Sequence, residues 1–107
     1  MSYSIGIDYG TASGRVFLIN TTNGQVVSKF VKPYTHGVIE SELNGLKIPH
    51  TYALQNSNDY LEIMEEGISY IVRESKIDPV NIVGIGIDFT SSTIVFTDEN
   101  LNPVHNL

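Results

Sequence analysis

Two five-residue stretches, Ile5-Gly6-Ile7-Asp8-Tyr9 and Ile85-Gly86-Ile87-Asp88-Phe89, share the pattern Ile-Gly-Ile-Asp-aromatic, with a helical stretch between them. Short apolar runs bounded by turn signals read as buried strands. A strand reached from an earlier one through a helical crossover runs parallel to it. Residues 82–88 are the most apolar run of the chain and read as a strand parallel to the first. If the two are neighbours, Asp8 and Asp88 end at the same carboxyl edge, where open α/β sheets bind their ligands. The shared pattern need not be a repeat, because buried parallel strands draw on few residue types.

The intervening chain supplies the rest of the sheet. Arg15-Val16-Phe17-Leu18-Ile19-Asn20 follows a Gly-Thr turn signal and forms a hairpin with the first strand. Thr21-Thr22-Asn23-Gly24 carries an Asn-Gly turn, after which Val26, Val27, Phe30 and Val31 mark a third strand. Its lysines and Pro33 suit a sheet edge. From about 36 to 57 periodicity disappears, which predicts a long loop outside the sheet. Ser57 or Asn58 is positioned to cap a helix with Asp59 and Glu62 in its first turn. Leu61, Met64, Ile68, Ile71 and Val72 recur at helical spacing as its buried face. Gly67 costs about 1 kcal/mol against Ala in a helix interior, unless it marks a close approach to a strand. Thr93-Ile94-Val95-Phe96 reads as a returning strand and Asp98-Glu99-Asn100 as a turn. The tail has no closing element, so the chain reads as cut rather than finished.

Bulk properties narrow the partners. A formal charge of −6, with six Lys and Arg in no cluster, disfavours nucleic acid and anionic membranes. Without cysteine there is no disulfide framework or thiolate metal site. The first residues lack an export pattern, and the expectation is a soluble, cytoplasmic protein of one domain.

The segment Asp8-Tyr9-Gly10-Thr11-Ala12-Ser13-Gly14-Arg15 carries the chemistry. Gly10 permits a sharp turn with an exposed amide, Thr11 and Ser13 add hydroxyls, and Gly14 keeps a second approach clear. Successive amides in such a turn make an anion nest. A carboxylate at Asp8 repels bare phosphate but suits a Mg²⁺ ion bridging phosphate oxygens. Arg15 adds a charge-assisted bond there or serves an ordinary ion pair. On these residues alone, a plain hairpin with Asp8 as turn former stays open.

The same segment resembles the first phosphate motif of the FGGY carbohydrate kinases, D-x-G-T-x-S-x-R, within the sugar kinase, chaperone and actin superfamily. Ala53-Leu54-Gln55-Asn56 with Asp59-Tyr60-Leu61-Glu62 is similar to the helix entry of the L-ribulokinase branch. Gly84 through Thr93 is similar to that branch's second parallel strand and following loop. The resemblance implies an α/β, ribonuclease H-like (actin-like ATPase) mixed sheet, present here as a partial N-terminal domain. It implies that Asp8, Gly10, Thr11, Ala12, Ser13 and Arg15 take the metal and γ-phosphate side of Mg-ATP, with Asp8 towards the Mg²⁺. Thr90, Ser91 and Ser92 would line the sugar pocket, Phe89 would pack beneath that loop, and Asp88 would be a structural strand-end carboxylate or touch the sugar. The implied reaction is γ-phosphoryl transfer to the 5-hydroxyl of L-ribulose in L-arabinose catabolism. The general-base aspartate and adenine site are expected downstream, so the segment alone is expected to be inactive.

His36, His50 and His105 lack metal-ligand spacing and read as surface or satisfied loop residues. Glu40 and Glu42 need not converge, against a glycosidase pair. Competing readings are a D-ribulokinase or ribitol kinase of the same family, a non-catalytic actin-like nucleotide- or sugar-binding module, and a small α/β domain with an inert hairpin. Uncovered sheet edges predict self-association of the piece.

Overall fold

The structure, a computed structural model, describes residues 1–36, 57–89 and 97–103, and the backbone of four two-residue strands between 38 and 55. β1 (Tyr3–Tyr9), β2 (Ser13–Asn20) and β3 (Val26–Pro33) form a meander. Asn23 turns the second hairpin by accepting the Gln25 N–H on its side chain, and Gly24 takes a left-handed φ of 73°. The short strands β4 (Val38–Ile39) and β7 (Leu54–Gln55) pair antiparallel, as do β5 (Glu42–Leu43) and β6 (Leu46–Lys47). The excursion expected as a long loop outside the sheet carries two small ladders apart from the main sheet.

Helix α1 (Asn58–Ser75) follows and ends on Lys76 in a left-handed conformation. Asp78 then accepts the Val80 N–H to start a 3-10 turn at Pro79–Asn81. β8 (Ile82–Phe89) completes a four-stranded sheet of order β3-β2-β1-β8. It runs parallel to β1, and the shared pattern lies in register: Ile5 beside Ile85, Gly6 beside Gly86, Ile7 beside Ile87, Asp8 beside Asp88, Tyr9 beside Phe89. β3 lies at the edge that its lysines and proline predicted.

One face of the sheet is covered by α1. Ile5, Ile7 and Tyr9 of β1, Val16 and Leu18 of β2, and Tyr60, Ile63 and Ile71 of α1 form the buried core with Tyr34. Two glycines set the closeness of that packing. A Cβ at Gly67 would lie 2.3 Å from Val16 Cγ2, and one at Gly14 would lie 2.7 Å from Ile63 Cγ2. Gly67 is thus a close approach to the sheet.

Three local expectations are corrected. The buried stripe of α1 starts at Tyr60 and Ile63, while Leu61 is 57% exposed. The Ser57 side chain makes no cap bond, because Ser57 is already helical (φ −64°, ψ −20°) and its hydroxyl is buried without a partner. Gly14 clears space for Ile63 rather than for a ligand. The predicted strand at 93–96 lies outside the described residues, but Asp98 organises the turn after it by accepting the backbone N–H groups of Asn100 and Asn102. Among the described residues, no helix is long and apolar enough to cross a membrane.

Candidate functional site

Alternation along β1 and β2 sends Asp8 and Arg15 to the sheet face opposite α1, and the parallel register sends Asp88 there too. The two carboxylates sit on adjacent strands, ~4.8 Å apart in the pairing direction. Gly6 and Gly86 lie in register behind them, so Asp8, Asp88, Phe17 and the two glycines line one shallow groove. Like charges placed side by side on a sheet are unfavourable unless a cation joins them. Arg15 supplies one: its Nη1 lies 3.3 Å from Asp8 Oδ2, both side chains being part exposed. The pairing of Arg15 is therefore the ion pair that its place at the strand start allowed.

The loop Gly10-Thr11-Ala12 closes β1 onto β2 at this edge. Thr11 and Ala12 are exposed at its tip and Ser13 is half-buried. The Gly10 N–H donates to the Ser13 carbonyl at 2.9 Å. This corrects the expectation of an exposed amide at Gly10, because hairpin closure consumes that donor. Gly10 also avoids the left-handed region; its missing side chain leaves room instead, since a Cβ there would lie 3.1 Å from the Ser13 oxygen.

Sequence reasoning missed the support beneath this loop. The Tyr34 N–H donates to the Ala12 carbonyl at 3.0 Å, and the Tyr34 phenol donates to the Gly10 carbonyl at 2.6 Å. Its ring packs edge-on against Tyr60, which meets Tyr9 at 5.0 Å between ring centres; Phe89 stacks on Tyr9 at 4.7 Å. The Tyr9 phenol donates to the Tyr60 carbonyl in the first turn of α1. Burial, with Tyr60 next, raises the Tyr34 phenol to about 12, and burial raises Tyr9 as well. Both phenols therefore stay protonated donors at neutral pH. The missed signal was the pairing frame: β2 and β3 pair Ser13 with Pro33, which puts Tyr34 level with Ala12.

Asp59 is almost fully buried and accepts from the His36 N–H at 3.2 Å, while its other oxygen meets His36 Nδ1 at 2.7 Å. His36 is thus a satisfied loop histidine. Thr90, Ser91 and Ser92, expected to line a sugar pocket, lie outside the described residues, as do His50 and His105. Among the described residues, no three His, Asp or Glu side chains converge to cage a metal. Asp8 and Asp88 offer hard oxygen donors on one face. That set fits Mg²⁺, which keeps waters and phosphate oxygens and needs only one or two carboxylates.

Comparison with known proteins places the chain in a family and a fold. Residues 3–107 match the FGGY family of carbohydrate kinases, N-terminal domain. Over all 107 residues the chain is 99% identical to a ribulokinase of Staphylococcus aureus strain Mu3 and 98% identical to that of strain MRSA252. It spans 20% of the length of each. The crystal structure of a ligand-bound xylulose kinase from Lactobacillus acidophilus aligns with a TM-score of 0.67 over 97% of this chain and 19% of that one, at 19% identity. That likeness carries the fold, an actin-like ATPase mixed sheet.

Proposed function

The chain belongs to the FGGY family of carbohydrate kinases, and from that premise we propose that it is the phosphate-holding segment of an ATP-dependent sugar kinase whose acceptor is the 5-hydroxyl of L-ribulose. One observation supports the reading above the others: Asp8, in register with Asp88, stands at the carboxyl edge directly before the Gly10–Ser13 turn. A carboxylate beside a turn of amides and hydroxyls suits a metal-bound polyphosphate rather than a bare anion.

In this reading Mg-ATP supplies the phosphoryl group, and its metal neutralises the charge that develops during transfer. Asp8 holds the metal side, directly or through water. Thr11 and Ser13 present hydroxyls and, with Ala12, backbone to the γ-phosphate. Gly10 keeps the turn narrow, and Arg15 holds the Asp8 carboxylate in place and adds positive charge near the phosphates. Thr90, Ser91 and Ser92 line the sugar pocket. The base that takes the acceptor proton belongs to the part of the full-length relatives that this chain does not span. Catalysis then rests on positioning and charge neutralisation.

Substrate is tested by ADP release from a full-length protein carrying this segment, assayed with L-ribulose, D-ribulose and ribitol. The highest kcat/KM is expected with L-ribulose. A higher value with D-ribulose or ribitol would reassign the acceptor, and no release with any sugar would overturn the kinase reading.

A further inference from the structure

Tyr34 bonds the hairpin tip at two carbonyls, and that has a directional consequence. In a trans peptide the C=O and the N–H of the next residue point opposite ways within one rigid plane. The peptide carrying the Gly10 carbonyl also carries the Thr11 N–H, and the peptide carrying the Ala12 carbonyl also carries the Ser13 N–H. The Tyr34 phenol holds the first plane at 2.6 Å and the Tyr34 backbone N–H holds the second at 3.0 Å. Both amides therefore point away from Tyr34. Tyr34 is itself fixed: it is 8% exposed, and its ring is seated edge-on against Tyr60 at the start of α1.

We propose that Tyr34 is a positioning residue for the phosphate end of the nucleotide, orienting the Thr11 and Ser13 amides through the carbonyls of Gly10 and Ala12 without touching the ligand. The inference rests on the hairpin being the phosphate site. Preorganised amide donors act because they need no rearrangement when the anion arrives. Without the phenol bond, the Gly10 carbonyl loses the restraint that Tyr34 places on its peptide plane, and the aim of the donor in that plane is less well fixed. Nucleotide binding weakens, while the sugar site is untouched.

The test uses full-length protein carrying this segment and three variants, Tyr34→Phe, Tyr9→Phe and Asp8→Ala. Tyr34→Phe keeps the ring and the backbone bond to Ala12 and removes only the bond to Gly10. Tyr9→Phe removes a phenol bond of the same aromatic cluster that goes to α1 instead, and so controls for general loosening. Tyr34→Phe is expected to raise the KM for Mg-ATP about tenfold, as for the loss of one hydrogen bond, with the KM for sugar unchanged. Tyr9→Phe is expected to lower the melting temperature without moving either KM. If Tyr34→Phe leaves the KM for Mg-ATP unchanged, or Tyr9→Phe raises it equally, while Asp8→Ala lowers kcat/KM for Mg-ATP by about a hundredfold or more, Tyr34 is structural and the proposal fails alone. If Asp8→Ala leaves turnover intact, the phosphate site and this proposal fall together. Should Tyr34→Phe not fold, Tyr34→Trp keeps an aromatic ring with a displaced donor, and a wild-type KM for Mg-ATP in that variant would overturn the proposal.

Discussion

Gly67 has no room for even a methyl group, because Val16 and Phe30 already occupy the place where its Cβ would be. Gly67→Ala gains helix propensity but overpacks this contact, so a net loss of about 1–3 kcal/mol is expected. A urea-denaturation midpoint at or above wild type would contradict the close packing. Arg15 behaves differently. Its ion pair with Asp8 is part exposed, so Arg15→Ala is expected to change folding stability by less than about 1 kcal/mol. Tyr34 makes stability depend on pH at the alkaline end. Its phenol ionises near pH 10 when unfolded and at about 12 when folded. The folded state thus holds its proton more tightly, and this contribution is complete below pH 10 and disappears as pH rises through 12. Wild-type chain is expected to lose stability more steeply than Tyr34→Phe between those values; parallel curves in alkaline denaturation would exclude the assignment.

The elements differ in how plainly their sequences announce them. β1 and β8 were legible because short apolar runs around a helix leave little choice but a parallel pair, and the Asn-Gly turn fixed the second hairpin. Of the face expected for α1, Ile71 is buried and Met64, Ile68 and Val72 pack against the core, while Leu61 is exposed and Tyr60 takes its place. Tyr60 and Leu61 are adjacent and both apolar, so period alone cannot choose between them; the aromatic contacts of Tyr60 with Tyr9, Tyr34 and Phe89 do. Lys32, on the face of β3 that meets α1, bonds Glu66 at 2.6 Å and pairs with Glu62 one turn earlier. Ile63→Ala is expected to cost about 2–5 kcal/mol as a buried truncation. Leu61→Ser, at an exposed site, is expected to stay within about 0.5 kcal/mol of wild type. The opposite ranking in equilibrium unfolding would contradict the burial of Ile63 and the exposure of Leu61. The hairpin loop was legible as a tight turn between β1 and β2, but its internal bonding was not. Whether a given amide faces outward or closes the turn depends on Tyr34, far away in sequence.

At the scale of the whole molecule, the sheet is covered unevenly. Val83, Ile85, Ile87 and Phe89 of β8 are each about half exposed or more, and β8 lies at the end of the four-stranded sheet. The isolated 107-residue chain is therefore expected to self-associate through this apolar strand. Sedimentation equilibrium giving one monomeric mass across the accessible concentrations would contradict that. The uneven cover accords with a segment spanning one fifth of its relatives' length. Sugar choice was the least legible property, because Thr90 to Ser92, the loop expected to read the acceptor, lie outside the described residues. The claim most open to a single decisive measurement is that Asp8 and the turn after it hold the magnesium side of a transferred phosphate. In full-length protein carrying this segment, Asp8→Ala is expected to lower kcat/KM for Mg-ATP by about a hundredfold or more, with the unfolding midpoint unchanged. Wild-type turnover in that variant would contradict the account.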